Sequence, residues 1–258
     1  DGLVLETEIG EFHFNNSNLK DEIYKVFEDV DENIWVGTAT KGVIQLSPRN
    51  IFNISLKKGL FHDVLYPVLQ RKNDEVWVGS NGGGLARIKS DAIHYFSSNA
   101  GLKNSSIWSL FEDSDNKLWV GSYGGGLLYW TGKRFKKFTL WDSLVSKSVF
   151  AIFQDKNKGL WIGTDNGLQY YRNKKISYYS VKDGLSNNKI RAIAEDKDGT
   201  IWFATDDGLT YFKNRKFHKI KIDDDYKVYS FRSLYVKFHK VVYKTLYNNV
   251  APKLIILF

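Results

Sequence analysis

Tryptophan recurs in this sequence at a nearly constant spacing. Five tryptophans follow one another at intervals of 42, 42, 42 and 41 residues, each inside an apolar-Trp-[Val/Ile/Phe]-[Gly/Ala]-[Thr/Ser] segment: Trp35, Trp77, Trp119, Trp161 and Trp202. A fixed period in the forties is typical of repeat proteins, whose units bury their faces only by stacking on their neighbours. We therefore expect an array of similar units in which these tryptophans are the structural repeat.

Each unit contains four short β-like runs separated by turn residues. In one unit the runs cover residues 107–111, 118–121, 127–130 and 134–138, with an acidic turn at 112–117 between the first two. Runs that are apolar on both faces need cover on both sides, which blades stacked around an axis provide. The sequence predicts an all-β fold, a β-propeller of four-stranded antiparallel blades. We expect about six blades, five complete and one composite or incomplete.

The two ends of the chain bear on how the propeller closes. We assign residues 1–222 to the propeller repeats and residues 223–258 to a divergent basic tail. The first 20 residues align with strands three and four of a blade, so the tail could supply strands one and two through 227–231 and 234–238. The alternative is a terminal excursion on an open ring. Because the chain begins within a repeat and contains no methionine, we expect a mature or excised segment.

Composition excludes several classes of function. The net charge of +8 depends on the tail, which has six basic and no acidic residues from 226 to 258; the remainder has 31 basic and 29 acidic side chains with signs interspersed. We therefore predict no nucleic-acid partner. No apolar run approaches the ~20 residues of a membrane helix, so we expect no membrane span. The absence of cysteine removes thiolate metal sites and cysteine nucleophiles.

The acidic turns could be interpreted as calcium loops. Asp113, Asp115, Asp196 and Asp198 stand in Asp-x-Asp patterns, but strand two occupies the space where a cation loop places its bidentate glutamate. We interpret them as hairpin turns. The histidines have no metal-ligand spacing, and the acidic residues recur in every unit, whereas catalysis usually needs a residue that breaks the repeat. We therefore predict no metal, no cofactor and no enzymatic activity.

One position in strand one is the strongest candidate for ligand binding. At matching places just inside the expected channel mouth, the blades carry Tyr24, Tyr66, Trp108, Phe150 and Arg191. As a set they could stack on sugars and pair with a carboxylate; packing between blades is the alternative for any single aromatic. A private salt bridge from Arg191 to Asp183 or Asp207 is the competing explanation for its charge. The preceding loop residues Asn187, Asn188 and Lys189 are further candidates.

Two strings of the fifth unit carry a family resemblance. Residues 182–190, KDGLSNNKI, and 195–202, EDKDGTIW, resemble the two-component regulator propeller repeat, and the pattern recurs in every unit. The sequence departs from it at Ala204, at 72–75 and throughout the tail. The resemblance implies the periplasmic sensor region of a bacterial hybrid two-component receptor, which detects oligosaccharides and signals to a histidine kinase through other domains of the same receptor.

Together these features favour a non-catalytic, ligand-sensing propeller located in the periplasm. We expect an oligosaccharide or other small ligand and the receptor's own signalling domains as partners, and a homodimer is an assembly compatible with this interpretation. The alternatives are a protein-docking propeller scaffold and, less favoured, a propeller lyase or glycoside hydrolase. Fold alone does not choose among them.

Overall fold

The computed structural model describes the backbone of 25 strands and most of the turns between residues 62 and 220. The described residues are 3–7, 10–14, 23–28, 34–38, 40, 42–46, 51–54, 62, 64–71, 73, 75–89, 92–102, 106–220, 231–237, 240–245 and 254–257. Side chains are described in 35–38, 40, 42–44, 62, 64–71, 73, 75–89, 92–102 and 106–220.

The described strands form seven antiparallel sheets in chain order. The first sheet pairs β1 (Leu3–Thr7) with β2 (Gly10–Phe14). The first blade contains β3 (Ile23–Glu28), β4 (Ile34–Thr38), β5 (Val43–Leu46) and β6 (Ile51–Ile54), and the second contains β7 (Leu65–Gln70), β8 (Val76–Ser80), β9 (Leu85–Lys89) and β10 (Ala92–Phe96). The third contains β11 (Ile107–Glu112), β12 (Leu118–Ser122), β13 (Gly126–Trp130) and β14 (Phe135–Lys137).

The remaining strands continue the pattern. The fourth blade contains β15 (Val149–Gln154), β16 (Leu160–Thr164), β17 (Gly167–Arg172) and β18 (Lys175–Tyr179), and the fifth contains β19 (Ile190–Glu195), β20 (Ile201–Thr205), β21 (Gly208–Lys213) and β22 (Lys216–Lys219). The tail forms β23 (Phe231–Lys237), β24 (Lys240–Thr245) and β25 (Leu254–Leu257). Short 3₁₀ turns at Ser98–Ala100, Trp141–Ser143 and Val181–Asp183 precede strand one of the next blade. The predicted fold class, an all-β propeller of four-stranded antiparallel blades, is confirmed.

The core lies between blades. Trp119, which is 6% exposed, packs against Val149 and Ile162 of the next blade, and Trp161 packs in the same way against Ile190 and Phe203. Trp35 and Trp77 join the corresponding clusters with the second and third blades. The first four blades therefore bury their tryptophan against the next blade, because a single sheet cannot cover both of its faces, whereas Trp202 of the fifth blade is only partly buried.

The glycine that follows each buried tryptophan by two residues lets neighbouring blades approach. A Cβ atom on Gly163 would lie 2.8 Å from Ile190 Cγ2 of the next blade, and one on Gly121 would lie 2.8 Å from Val149 Cγ1. Both distances are shorter than van der Waals contact. The apolar-Trp-x-Gly pattern thus specifies a close contact between strand two of one blade and strand one of the next.

The acidic turns are built around one carboxylate. Asp113 Oδ1 accepts hydrogen bonds from the backbone N–H groups of Asp115 (3.0 Å) and Lys117 (2.8 Å), while its Oδ2 accepts from Trp119 Nε1 at 2.8 Å. Asp155 and Asp196 repeat the arrangement with Trp161 and Trp202. The carboxylate therefore shapes the hairpin and satisfies a buried indole donor.

The pKa values of the side chains in and beside these turns reflect the same contacts. Burial by itself would raise the pKa of Asp196, but hydrogen bonds donated by Trp202 and Thr200 outweigh it and lower the pKa. Burial raises the pKa of the neighbouring Glu195. Burial, together with the nearby Asp155 carboxylate, raises the pKa of Tyr170 to about 12. The turn aspartate is thus held in its ionised form.

The second blade achieves the same result with a different residue, which explains its departure from the repeat. Arg71 stands where the other blades have the turn aspartate, and Glu75 accepts the hydrogen bond from Trp77 Nε1 at 3.2 Å. Arg71 pairs with Glu75 and reaches across to Glu112 of the third blade, where Nε lies 2.9 Å from Oε1. The indole donor is satisfied even where the aspartate is lost.

The tail adds an incomplete sixth unit to the ring. Its strands pair in the order β23-β24-β25, and β23 lies against β19 and β20 of the fifth blade and also approaches β3 of the first. The strand limits differ from the predicted ones: β23 is continuous through Arg232 and Ser233, which lie between the two predicted strands. The pairing of β23 with β24 shifts between Phe231 and Ser233, as it does at the bulge in strand one of the blades. Among the described residues β1 pairs only with β2.

Candidate ligand site at the channel mouth

A β-bulge lies at the same place in strand one of every blade. The pairing with strand two shifts between Ile107 and Ser109, and equivalent shifts occur in the other four blades. The residues at the shift are the predicted ones: Tyr24, Tyr66, Trp108, Phe150 and Arg191. Bulges redirect a side chain without breaking the sheet. Strands one of successive blades are neighbours, so the shifts present these positions around the axis.

Four of the predicted residues form one continuous stack. The ring centroids of Tyr66 and Trp108 are 4.8 Å apart, and those of Trp108 and Phe150 are 4.7 Å apart. The guanidinium carbon of Arg191 lies 4.9 Å from the centroid of Phe150. The side chain of Tyr24 lies outside the described residues. Four consecutive blades, the second to the fifth, thus contribute to one aromatic and cationic surface, the channel-mouth cluster.

Tyr123 belongs to this cluster and was not predicted. It comes from the turn between β12 and β13, where it stacks on Trp108 at 5.5 Å and lies nearly parallel to Phe150 at 6.5 Å. It is 52% exposed. The signal was available in the alignment of the repeats, because the position holds Asn81, Asp165 and Asp206 in other blades and only Tyr123 is aromatic among these.

Arg191 is held by the carboxylate of Asp206. Its Nε and Nη2 donate to Asp206 Oδ1 at 2.5 Å and Oδ2 at 3.0 Å. The private salt bridge given above as the competing explanation for this charge is therefore present, but its partner is Asp206 and not Asp183 or Asp207. Lys189 Nζ lies 3.3 Å from the same carboxylate. The carboxyl of Asp183 instead accepts hydrogen bonds from Ser180. Two cations share one anion, which leaves this part of the fifth blade locally positive.

One buried donor in the cluster has no partner. Trp108 Nε1 is inaccessible and makes no hydrogen bond within the described part of the chain. The corresponding indole donors of the acidic turns are all bonded to a carboxylate where they are described. Native proteins seldom leave a buried N–H unsatisfied, and a bound water or ligand is the usual partner. Trp108 Nε1 is thus a donor at the mouth that the described side chains do not satisfy.

The asparagines of the preceding loop have structural contacts. Asn187 Oδ1 accepts from Lys189 N at 2.8 Å, and Asn188 Oδ1 accepts from Val181 N at 2.9 Å. In the second blade His62 occupies the position of Asn187, and its Nδ1 accepts from Val64 N at 3.0 Å in the same way. These side chains shape the loops around the mouth. Of the three loop candidates, Lys189 alone reaches the cluster, with Nζ 5.8 Å from the centroid of Phe150.

The fold and this cluster together define a propeller with an asymmetric aromatic mouth. Three segments of the chain match the family model described as two component regulator propeller, at residues 101–124, 143–166 and 184–207. Each match runs from the loop before strand one, through the acidic hairpin, to the turn after strand two. These three units therefore match the two-component regulator propeller repeat, and the predicted family resemblance is confirmed. No curated protein matches the sequence.

Solved structures with this fold include extracellular domains of two-component systems and a lyase. The chain is similar to the extracellular domain of a hybrid two-component system from B. thetaiotaomicron, with a TM-score of 0.81 and 24% identity over 94% of this chain and 35% of that one. A second such domain from that bacterium gives a TM-score of 0.59 and 18% identity over 95% of this chain and 38% of that one. Virginiamycin B lyase from Staphylococcus aureus gives a TM-score of 0.77 and 14% identity over 94% of this chain and 84% of that one.

These similarities establish the fold but identify neither a ligand nor a reaction. The chain spans about a third of the length of the two-component extracellular domain that it matches. Identities of 14% to 24% show a shared architecture, and one propeller architecture serves many unrelated functions. Among the described residues, no helix has the length and apolar character needed to cross a bilayer.

Proposed function

We propose that the chain is a non-catalytic, ligand-sensing propeller that binds an oligosaccharide or similar small ligand at the channel-mouth cluster. The proposal includes a periplasmic location and a signal passed to signalling domains of the same receptor. Support comes from the two-component regulator propeller repeats and from the similarity to extracellular domains of hybrid two-component systems.

The exposed face of Tyr123 is the observation that carries the proposal. A tyrosine that is 52% exposed yet stacked on two further rings is a rigid apolar platform with a polar tip. Beside it, Arg191, Lys189 and Asp206 supply hydrogen-bond donors and acceptors. An aromatic platform with a few fixed polar groups at its edge suits the apolar face and hydroxyl rim of a sugar ring.

The polar groups of the mouth do not resemble a catalytic set. Asp206 is engaged by two cations, and His62 uses Nδ1 to close its own loop. A lyase or hydrolase needs an acid or base within reach of a substrate and free to exchange a proton. The described groups serve positioning and charge balance instead, which favours sensing over catalysis.

A ligand screen followed by one variant tests the proposal. Thermal shift against acidic and neutral oligosaccharides should identify a ligand, because binding to the folded state raises stability. Tyr123→Ala should then weaken that ligand roughly tenfold in calorimetry, the scale of one aromatic contact. Tyr95→Ala is the matched control, since Tyr95 is 46% exposed but lies on strand four, away from the mouth.

Two outcomes would redirect the proposal. Equal affinity in Tyr123→Ala and the parent chain would remove the cluster from the site. Failure of every saccharide to shift the melting temperature would favour the protein-docking scaffold, in which the mouth receives a partner's side chains. Light scattering with and without ligand would determine whether the sensing unit is a homodimer.

A further inference from the structure

The basic residues of the propeller are concentrated at one kind of hairpin. The turns that join strands three and four of the third, fourth and fifth blades carry eight exposed cations and no acidic residue: Lys133, Arg134, Arg172, Lys174, Lys175, Lys213, Arg215 and Lys216. We call these residues the basic hairpin row. In an antiparallel meander, these turns lie at the blade end opposite the channel mouth. The row therefore belongs to a different face from the ligand site.

In two of these hairpins the cations occupy positions that are unfavourable for them. Arg172 pairs directly opposite Lys175, and Lys213 directly opposite Lys216, although like charges across a strand pair repel. The turn residues Lys174 and Arg215 have φ values of 62° and 61°, a conformation in which glycine is favoured. Cations that are kept where they cost stability suggest a selected role for the charge.

The second blade provides an internal comparison. Its corresponding strand end carries Lys89, whose Nζ lies 3.8 Å from the carboxylate of Glu75. None of the eight cations in the row forms an ion pair with an acidic side chain in the described part of the chain, although Arg172 interacts with Tyr170. The acidic turns share this end of the blades, but they join strands one and two, which lie nearer the axis. The row is therefore a positive outer band spanning three consecutive blades.

The shape and composition of the row indicate its partner. The hairpin tips are convex, and they present no exposed aromatic side chain on which a nucleic-acid base could stack. A disc presents such tips on one face, so they can meet a flat surface together. Flexible lysine and arginine side chains on a flat face are the arrangement that binds anionic lipid headgroups.

We propose that the basic hairpin row docks the propeller on a bilayer surface that carries anionic phosphate headgroups. The hairpin face then lies toward the membrane and the channel mouth points away from it, open to ligand. Attraction comes from the summed charge of the tips, without insertion, and is therefore weakened by salt.

Vesicle sedimentation of the full chain tests this docking. The chain should bind phosphatidylcholine vesicles that contain phosphatidylglycerol, fail to bind pure phosphatidylcholine, and dissociate as salt is raised. The double variant Lys174→Gly with Arg215→Gly should lower the partition coefficient roughly tenfold or more. Because glycine is favoured at both positions, these substitutions should not lower the denaturant midpoint.

A single-site comparison controls for net charge. Lys182→Gln removes one exposed cation from the mouth face, and it should change vesicle binding by less than about twofold, whereas Lys174→Gly should reduce it roughly fivefold. Equal losses in the two variants would overturn the assignment to a face. Binding that ignores phosphatidylglycerol, absence of vesicle binding, or capture by heparin in place of vesicles would overturn the membrane partner.

Discussion

The two ends of each blade differ in how faithfully they repeat. At the hairpin between strands one and two, an aspartate clamps the turn and the indole of strand two in the third, fourth and fifth blades, as with Asp113 and Trp119. At the opposite end, equivalent positions hold different residues, and Tyr123 and Arg191 each occur once. In these three blades, residues that repeat stabilise the hairpins and the packing between blades, whereas Tyr123 and Arg191 give the mouth the asymmetric surface that the proposed ligand site requires.

The largest effect should come from the repeated tryptophan. Trp119→Ala removes a side chain buried between the third and fourth blades, and we expect a loss of about 3–5 kcal/mol in the free energy of unfolding. Denaturant titration measures it. A loss below about 1 kcal/mol would mean that the indole contributes little to blade stacking.

Replacing the aspartate that clamps the hairpin should cause the next largest loss of stability. Asp113→Asn places an amide where Oδ2 accepts from Trp119 Nε1, so one buried donor loses its acceptor or the turn rearranges; we expect about 1–3 kcal/mol of destabilisation. Asp115→Asn is the control, because Asp115 is exposed and pairs only with the exposed Lys158 in the described contacts. Equal losses in the two variants would contradict the clamp.

Low pH should weaken the same aspartate contacts and lower the melting temperature by a smaller amount. Since hydrogen bonds lower the pKa of Asp196 in the folded chain, its stabilising contribution is complete above about pH 4, the ordinary aspartate value, and is lost as the pH falls through the lower folded-state pKa. The raised pKa of Glu195 acts in the opposite direction. Asp196→Asn should therefore flatten the decline in melting temperature below about pH 4; an unchanged acid profile would contradict this assignment.

Chelation should have the smallest effect. The clamp carboxylates already accept hydrogen bonds from backbone and indole donors, so EDTA should leave the melting temperature unchanged. A drop of several degrees, restored by added calcium, would show that the turns hold a cation after all.

The sequence predicted the repeated half of this molecule better than the unrepeated half. The spacing of Trp35 to Trp202 determined blade number and core, because buried inter-blade contacts tolerate few residues. Tyr123 was not predicted because its difference from the other blades appears only when the repeats are aligned residue by residue, and its stacking on Trp108 depends on a turn meeting a bulged strand in space. The choice of Asp206 over Asp207 as the partner of Arg191 depends on which side chain points inward.

The distribution of charge on the surface was likewise not predicted from the sequence. Acidic and basic residues alternate along the sequence, and we predicted an ordinary mixed surface from that pattern. In the fold, the clamp aspartates lie in the hairpins between strands one and two, while cations such as Lys174 and Arg215 lie at the tips between strands three and four. A mixture along the chain thus becomes a separation on the surface, because the third, fourth and fifth blades repeat the same radial order.

The most direct test of the division between scaffold and site measures stability and affinity in the same two variants. With a ligand from the screen, Tyr123→Ala should lose roughly tenfold in affinity while its unfolding free energy changes by less than about 1 kcal/mol. Asp113→Asn should lose about 1–3 kcal/mol of stability and keep its affinity while folded. If both variants lose affinity and stability in proportion, the mouth and the hairpins are one cooperative unit, and the separation inferred from the repeat is wrong.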